Sequence, residues 1–202
     1  MNRISMGEFG VINLEELHKY KDSFGFFSNQ LTFPSEIDFH PREFDGAFDA
    51  SHPAYPYIKQ YWEDMHDISL DDIQQVYTQT FDFDRDTNLY MTYFKFEDQK
   101  ERGQMLAKLK VLYEMFGLKM PDNELSDFLP LMLEFLYAAE WRGDERAQES
   151  LTLLIMVLED GTYHMIQALE RNKSPYFNLI KGLRETFKAC VDESTKEGEQ
   201  NV

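Results

Sequence analysis

Asp82-Phe83-Asp84-Arg85-Asp86-Thr87-Asn88 places oxygen-bearing side chains at alternating positions, the spacing with which an EF-hand loop wraps calcium. The rest of that loop is missing. Thr87 stands where the sharp turn needs glycine, and Tyr93 stands where a bidentate glutamate closes the shell, so an acidic turn ending a helix is the better reading. The five histidines, His18, His40, His52, His66 and His164, form no HExxH and no pair at ligand spacing, and the single cysteine builds no structural zinc site. Cys190 lies close to an acidic tail, where negative neighbours raise a thiol's pKa rather than activate it. There is no Gly-x-Ser-x-Gly elbow, no Walker loop and no Gly-x-Gly-x-x-Gly, and the abundant carboxylates single out no acid/base pair. The expectation is a protein that is not an enzyme and holds neither a metal nor a stably bound cofactor of its own.

What remains is recognition chemistry. Leu89-Tyr90-Met91-Thr92-Tyr93-Phe94 is too aromatic for an ordinary solvent loop, which leaves core packing or an apolar wall in which Tyr90, Tyr93 and Phe94 meet a partner helix. Glu124 and Asp127 precede an apolar helix, where carboxylates cap free amides; capping and partner binding both stay open for Asp127. Glu134 interrupts that helix and is solvent-facing, paired or aimed into a groove.

These residues need helices to position them. In the stretch from Asp98 to Leu136, Leu106, Leu109, Leu112, Tyr113 and Phe116 make a single stripe at helical spacing. The following run, from Phe128 to Tyr137, is broken only by Pro130 and Glu134, so it must be covered on nearly every side. Asn13 caps a helix through about Gln30, another spans about Tyr57 to His66, and Ser69 caps one that continues through Phe81. Ala147 to Arg171 reads as one helix interrupted at Gly161, or as two. Ser174-Pro175 opens a last helix carrying Tyr176, Leu179, Ile180, Leu183 and Phe187. Residues 33–56, with Pro34, Pro41, Pro53 and Pro56, predict an irregular loop. The fold class is all-α, a single helical-bundle domain over 1–191 with a disordered acidic tail at 192–202.

The chain has 202 residues, and its 37 acidic against 20 basic residues give a formal charge of −17, which repels phosphate backbones and anionic headgroups. Nucleic acid and direct membrane insertion are not expected. From Ser35 to Asp86, 13 acids face only Arg42, Lys59 and Arg85, a balance that solubilises the chain or attracts a basic peptide. The first 30 residues show no basic start followed by an apolar signal core, and no apolar run reaches the ~20 residues that span a bilayer. A cytoplasmic protein is expected.

Glu101-Arg102-Gly103, then Tyr113 and Gly117, then Leu125-Ser126-Asp127-Phe128-Leu129-Pro130-Leu131 and Leu133-Glu134-Phe135-Leu136, resemble the NarJ-type nitrate reductase assembly chaperones, which belong with the TorD and DmsD redox-enzyme chaperones. The resemblance covers roughly residues 75–185. It implies an all-α chaperone that binds the N-terminal segment of the reductase catalytic (alpha) subunit and keeps it open for iron–sulfur and molybdenum cofactor insertion before membrane attachment. The cofactors belong to the client, and cofactor-delivery proteins are possible further partners. The client-binding set implied is Tyr90, Tyr93, Phe94, Arg102, Tyr113, Asp127, Phe128 and Glu134. Where relatives often read Pro-Asp-His, this chain has Ser126, Asp127 and Phe128, so the carboxylate is kept and the imidazole is not. The alternative is a TorD-like chaperone of another molybdoenzyme that reads a twin-arginine leader.

Overall fold

The computed structural model describes residues 11–35, 41–96 and 98–191. Asn13 starts the first helix as expected, its side-chain oxygen accepting from the backbone N–H of Glu15 and of Glu16, both at 3.1 Å. Instead of one helix there are two, α1 (Leu14–Lys19) and α2 (Lys21–Gln30), separated at Tyr20. The carbonyl of Tyr20 is taken by the N–H and the hydroxyl of Ser23, while its ring sits edge-on to His52.

The expected irregular loop over 33–56 contains a helix, α3 (Pro41–Ala47), and the start of α4 (Tyr55–Met65). Two of the prolines read as breakers are helix starters: Pro41 opens α3 and Pro56 lies in the first turn of α4, where no amide partner is lost. Phe44 and Phe48 then pack on Trp62, Phe26 and Phe27. Residues 36–40 of that loop, and the predicted tail at 192–202, lie outside the described residues.

Ser69 caps α5 (Leu70–Phe81), accepting from Asp72 N. The rings of Tyr61, Tyr77, Phe81 and Tyr176 cluster between α4, α5 and α9 (Tyr176–Ala189). After a short 3-10 turn at Arg85–Thr87 come α6 (Gln99–Met115), capped by Asp98, and α7 (Leu129–Ala138). The apolar helix is central, as its composition demands: Leu129, Pro130, Met132, Leu133, Phe135 and Leu136 are all buried. α2 lies close along it because Gly25 faces the Tyr137 ring, where a Cβ would stand 3.0 Å from the ring carbon.

The expected interruption of Ala147–Arg171 does not occur, and α8 runs unbroken through that span. Gly161 serves close approach instead of bending: a Cβ there would lie 2.9 Å from Met91 Cα. α8 and α9 are joined internally by Arg184, buried, which donates to the Glu159 carboxylate at 2.7 Å, to the Glu159 carbonyl and to Thr162. The two ends of the described domain meet where Asn13 N donates to Cys190 O at 2.8 Å. Among the described residues there is no strand, only isolated bridges, and no helix is long and apolar enough to cross a membrane.

Candidate functional site: a pinned strap and a carboxylate cleft

Residues 89–94 form a strap whose start, around Tyr90, pairs antiparallel with Phe128 in the turn before α7 and whose remainder, from Met91, coils into turns. Met91 N donates to Asp127 O at 2.9 Å, and Leu129 N donates back to Leu89 O at 2.8 Å. Extended backbone sends alternate side chains to opposite sides, so Leu89 and Met91 enter the core while Tyr90 stays half-buried. Beyond them Tyr93 is half-buried and Phe94 is 41% exposed. Core packing therefore holds for Leu89 and Met91, while Tyr90, Tyr93 and Phe94 keep part of their surface in solvent.

Asp127 is completely buried, and a single oxygen, Oδ2, accepts from Thr92 N at 3.1 Å, from Thr92 Oγ1 at 2.5 Å and from Arg102 Nη2 at 3.4 Å. Arg102 Nε donates in turn to Thr92 Oγ1 at 3.1 Å. Strap, α6 and the start of α7 are thus tied through one carboxylate. Asp127 does not cap α7, since Phe128 occupies that position and no side chain caps it. Nor does it offer a surface to a partner.

Tyr113 is likewise sealed, and its hydroxyl donates to Ser126 O at 2.7 Å while Ser126 Oγ donates to Leu106 O. Burial pushes its phenol pKa well up. Its expected place on a binding surface is corrected to a support beneath the Ser126-Asp127 turn. At the surface of this corner, Tyr90 donates to Glu124 at 3.2 Å and its ring tilts against Phe128. The Tyr93 ring has the guanidinium of Arg85 at 5.2 Å and that of Arg102 at 5.8 Å, a cation-lined setting. Tyr90, Tyr93, Phe94, Arg102, Asp127 and Phe128 do converge, but the corner they make is not acidic.

Glu134 is elsewhere. It is exposed and lines a cleft of about 560 Å³ bounded by α2, α3 and α7, together with Asp22, Phe26, Ala47 and Tyr137. Among the described residues two carboxylates line this cleft and no Lys, Arg or His does; neighbouring Lys21 pairs with Glu140 at 3.4 Å. Tyr137, 45% exposed, gives it an aromatic wall. Asp22, Phe26 and Tyr137 went unnoticed in the sequence. The spacing of Asp22 and Phe26 on α2 was visible, but the Gly25–Tyr137 approach that sets α2 beside α7 is a long-range contact with no local signal.

The EF-hand-like acids have protein partners: Asp84 accepts from Asp86 N and Asn172, and Asp86 pairs with Arg171 at 2.9 Å. Among the described residues no group of three or more His, Cys, Asp or Glu is placed to hold a metal ion.

A continuous helical core, a strap locked from inside and a cleft lined by carboxylates and aromatic rings make up an all-α domain. The chain belongs to the nitrate reductase delta subunit family, whose model matches residues 49–179. It is 34% identical over 143 residues to the probable nitrate reductase molybdenum cofactor assembly chaperone NarJ of Bacillus subtilis, covering 66% of this chain and 74% of that protein. It is 28% identical over 130 residues to the probable chaperone NarW of Escherichia coli, covering 63% and 52%. The NarJ chaperone of the same bacterium is 38% identical over 65 residues, 32% of this chain and 28% of that one. All three are named as assembly chaperones, not as enzymes. The family match includes the strap, α6, the Asp127 turn and α7; Asp22 and Phe26 of the cleft lie before it.

Proposed function

We propose that this chain is a dedicated assembly chaperone for a molybdenum-containing nitrate reductase. In the cytoplasm it holds a basic amphipathic segment at the N-terminus of the catalytic subunit while molybdenum cofactor and iron–sulfur clusters are inserted, before membrane attachment. It changes no covalent bond. The observation that carries this reading is the cleft, where Asp22 and Glu134 face an open volume lined, among the described residues, by no Lys, Arg or His. A helical or extended segment would set apolar side chains against Phe26, Ala47 and Tyr137 and basic ones against the two carboxylates. Apolar burial supplies affinity, and charge supplies selection and encounter rate. The names of the related chaperones support the client class.

The test is the reductase itself. Nitrate reductase produced without this chain should contain little molybdenum per catalytic subunit, and the wild-type chain should restore it while the double variant Asp22→Lys/Glu134→Lys should not. Unchanged molybdenum content without the chain would sink the proposal. Restoration only of a different molybdoenzyme, one whose leader carries paired arginines, would transfer the client assignment to that enzyme.

A further inference from the structure

Five glycines lie inside the described helices, where a missing side chain costs stability relative to alanine and so calls for a reason. Three have one in packing. A Cβ would stand 3.0 Å from the Tyr137 ring at Gly25, 2.9 Å from Met91 Cα at Gly161 and 2.8 Å from Ile58 Cδ1 at Gly182. Gly46, on α3, has neither a packing reason nor a backbone one. Its φ lies outside the left-handed range, and a Cβ there would meet no described atom within 4 Å. Gly103 on α6 is equally open, but only Gly46 is among the residues that line the cleft.

The α3 wall is held without help from Gly46. Phe44 and Phe48, two residues to either side of it, stand one helical turn apart and share a face. The Phe48 ring lies 5.0 Å from that of Phe26 and 5.7 Å from that of Phe27, and the Phe44 ring lies 5.6 Å from that of Trp62. Two residues on from Phe44 is roughly half a turn, so position 46 is carried away from this anchored face. It presents bare backbone to the cleft of about 560 Å³ that Phe26, Ala47 and Tyr137 line with Asp22 and Glu134. Opposing apolar surface is fixed as well, because Gly25 approaches the Tyr137 ring face-on, with three ring carbons 3.0, 3.1 and 3.2 Å from its Cβ position.

We infer that Gly46 determines the specificity of the cleft: the side chain it lacks leaves a seat for one bulky apolar side chain of the bound segment, of leucine or phenylalanine size. This role rests on the cleft being the client site, where Asp22 and Glu134 select charge and Gly46 selects size. Burying a side chain of that size is sufficient for a gain of about tenfold or more in affinity.

The probe is a labelled synthetic basic amphipathic peptide whose apolar face is alanine except for one central leucine, compared with the same peptide carrying alanine there. Fluorescence anisotropy should show the wild type binding the leucine peptide at least about tenfold more tightly, or ~1.4 kcal/mol. Gly46→Leu fills the seat from the protein side and should bind the two peptides alike. It should melt no lower than the wild type, since the position is open and leucine is the better helix former. Glu134→Gln should weaken both peptides by the same factor and keep the preference for leucine, which separates size from charge. Equal binding of the two peptides by the wild type overturns the role of Gly46, as does a folded Gly46→Leu that keeps the preference or a lower melting temperature in that variant; each of these leaves the cleft standing as the client site. No saturable binding of either peptide by the wild type removes the client site itself, and the role of Gly46 with it.

Discussion

The backbone N–H and the hydroxyl of Thr92 both donate to the same oxygen of Asp127, a carboxylate with no exposure to solvent. The consequence is that Asp127 stabilises the domain rather than contacting a client. Thr92→Val keeps the side-chain shape and deletes one donor to a charged acceptor, and chemical denaturation should show a loss of about 1.5–3 kcal/mol. Asp127→Ala should cost more, because Thr92 N–H loses its acceptor as well. Client-peptide affinity of either variant, measured while it is folded, should stay within about twofold of wild type because cleft and strap share no partner. A large affinity loss in the folded Asp127→Ala protein would restore Asp127 to the binding surface.

Gly161→Ala tests the strap from the other side. Alanine is the better helix former by about 1 kcal/mol, so propensity alone predicts stabilisation. The added methyl would lie 2.9 Å from Met91 Cα, and backbone cannot swing aside, so overpacking of roughly 1–3 kcal/mol should win and the melting temperature should fall. Gly25→Ala is the contrast, since its methyl meets the Tyr137 ring, which is exposed enough to rotate away. That variant should fold with little loss and bind the client peptide differently.

The Glu159–Arg184 pair crosses the α8–α9 interface with Glu159 Oε2 and Arg184 Nε lacking partners. Burial is the main influence on both, raising the Glu159 pKa and lowering that of Arg184, each partly offset by the other. Arg184→Met alone should therefore cost about 3–5 kcal/mol by leaving a buried carboxylate unpaired, while Glu159→Leu/Arg184→Met should recover most of it. Equal destabilisation in the single and double variants would show that packing, not charge, decides.

His52 gives the fold a pH dependence. Its Nδ1 accepts from Ala54 N at 3.1 Å and its ring lies between Tyr20 and Phe48. Burial lowers its pKa from 6.5 to about 4; Asp49 opposes this and Lys19 adds to it. Between those values the unfolded chain binds the proton and the folded one does not, so stability rises with pH across that window and is lost as pH falls from 6.5 towards 4. Denaturation midpoints at pH 7 and pH 5 should differ less in His52→Gln than in wild type.

Helices were readable in the sequence wherever one face decided them. Asn13 and Ser69 cap their helices by local hydrogen bonds, and the run around Leu129–Leu136 is too apolar to lie anywhere but the centre. What failed was the meaning of punctuation. Gly161 read as a break because local propensity does not reveal that Met91 presses against it, and Pro41 and Pro56 read as breakers because position within a helix, not identity, sets their effect. Six of the eight candidate site residues do converge, since the strap and the Asp127 turn are joined by a bridge. Tyr113 and Asp127 turned out to be inside it, and Glu134 pointed to a cleft whose other carboxylate, Asp22, is more than a hundred residues away in sequence.

The account stands or falls on the cleft. Titrating the wild-type chain and its Asp22→Lys/Glu134→Lys variant with a synthetic N-terminal peptide of the nitrate reductase catalytic subunit, at low and raised salt, tests it most directly. It predicts saturable binding by the wild type that weakens with salt and falls at least about tenfold, ~1.4 kcal/mol, on charge reversal. Binding with the same affinity in the folded double variant, or no saturable binding by the wild type, would contradict it.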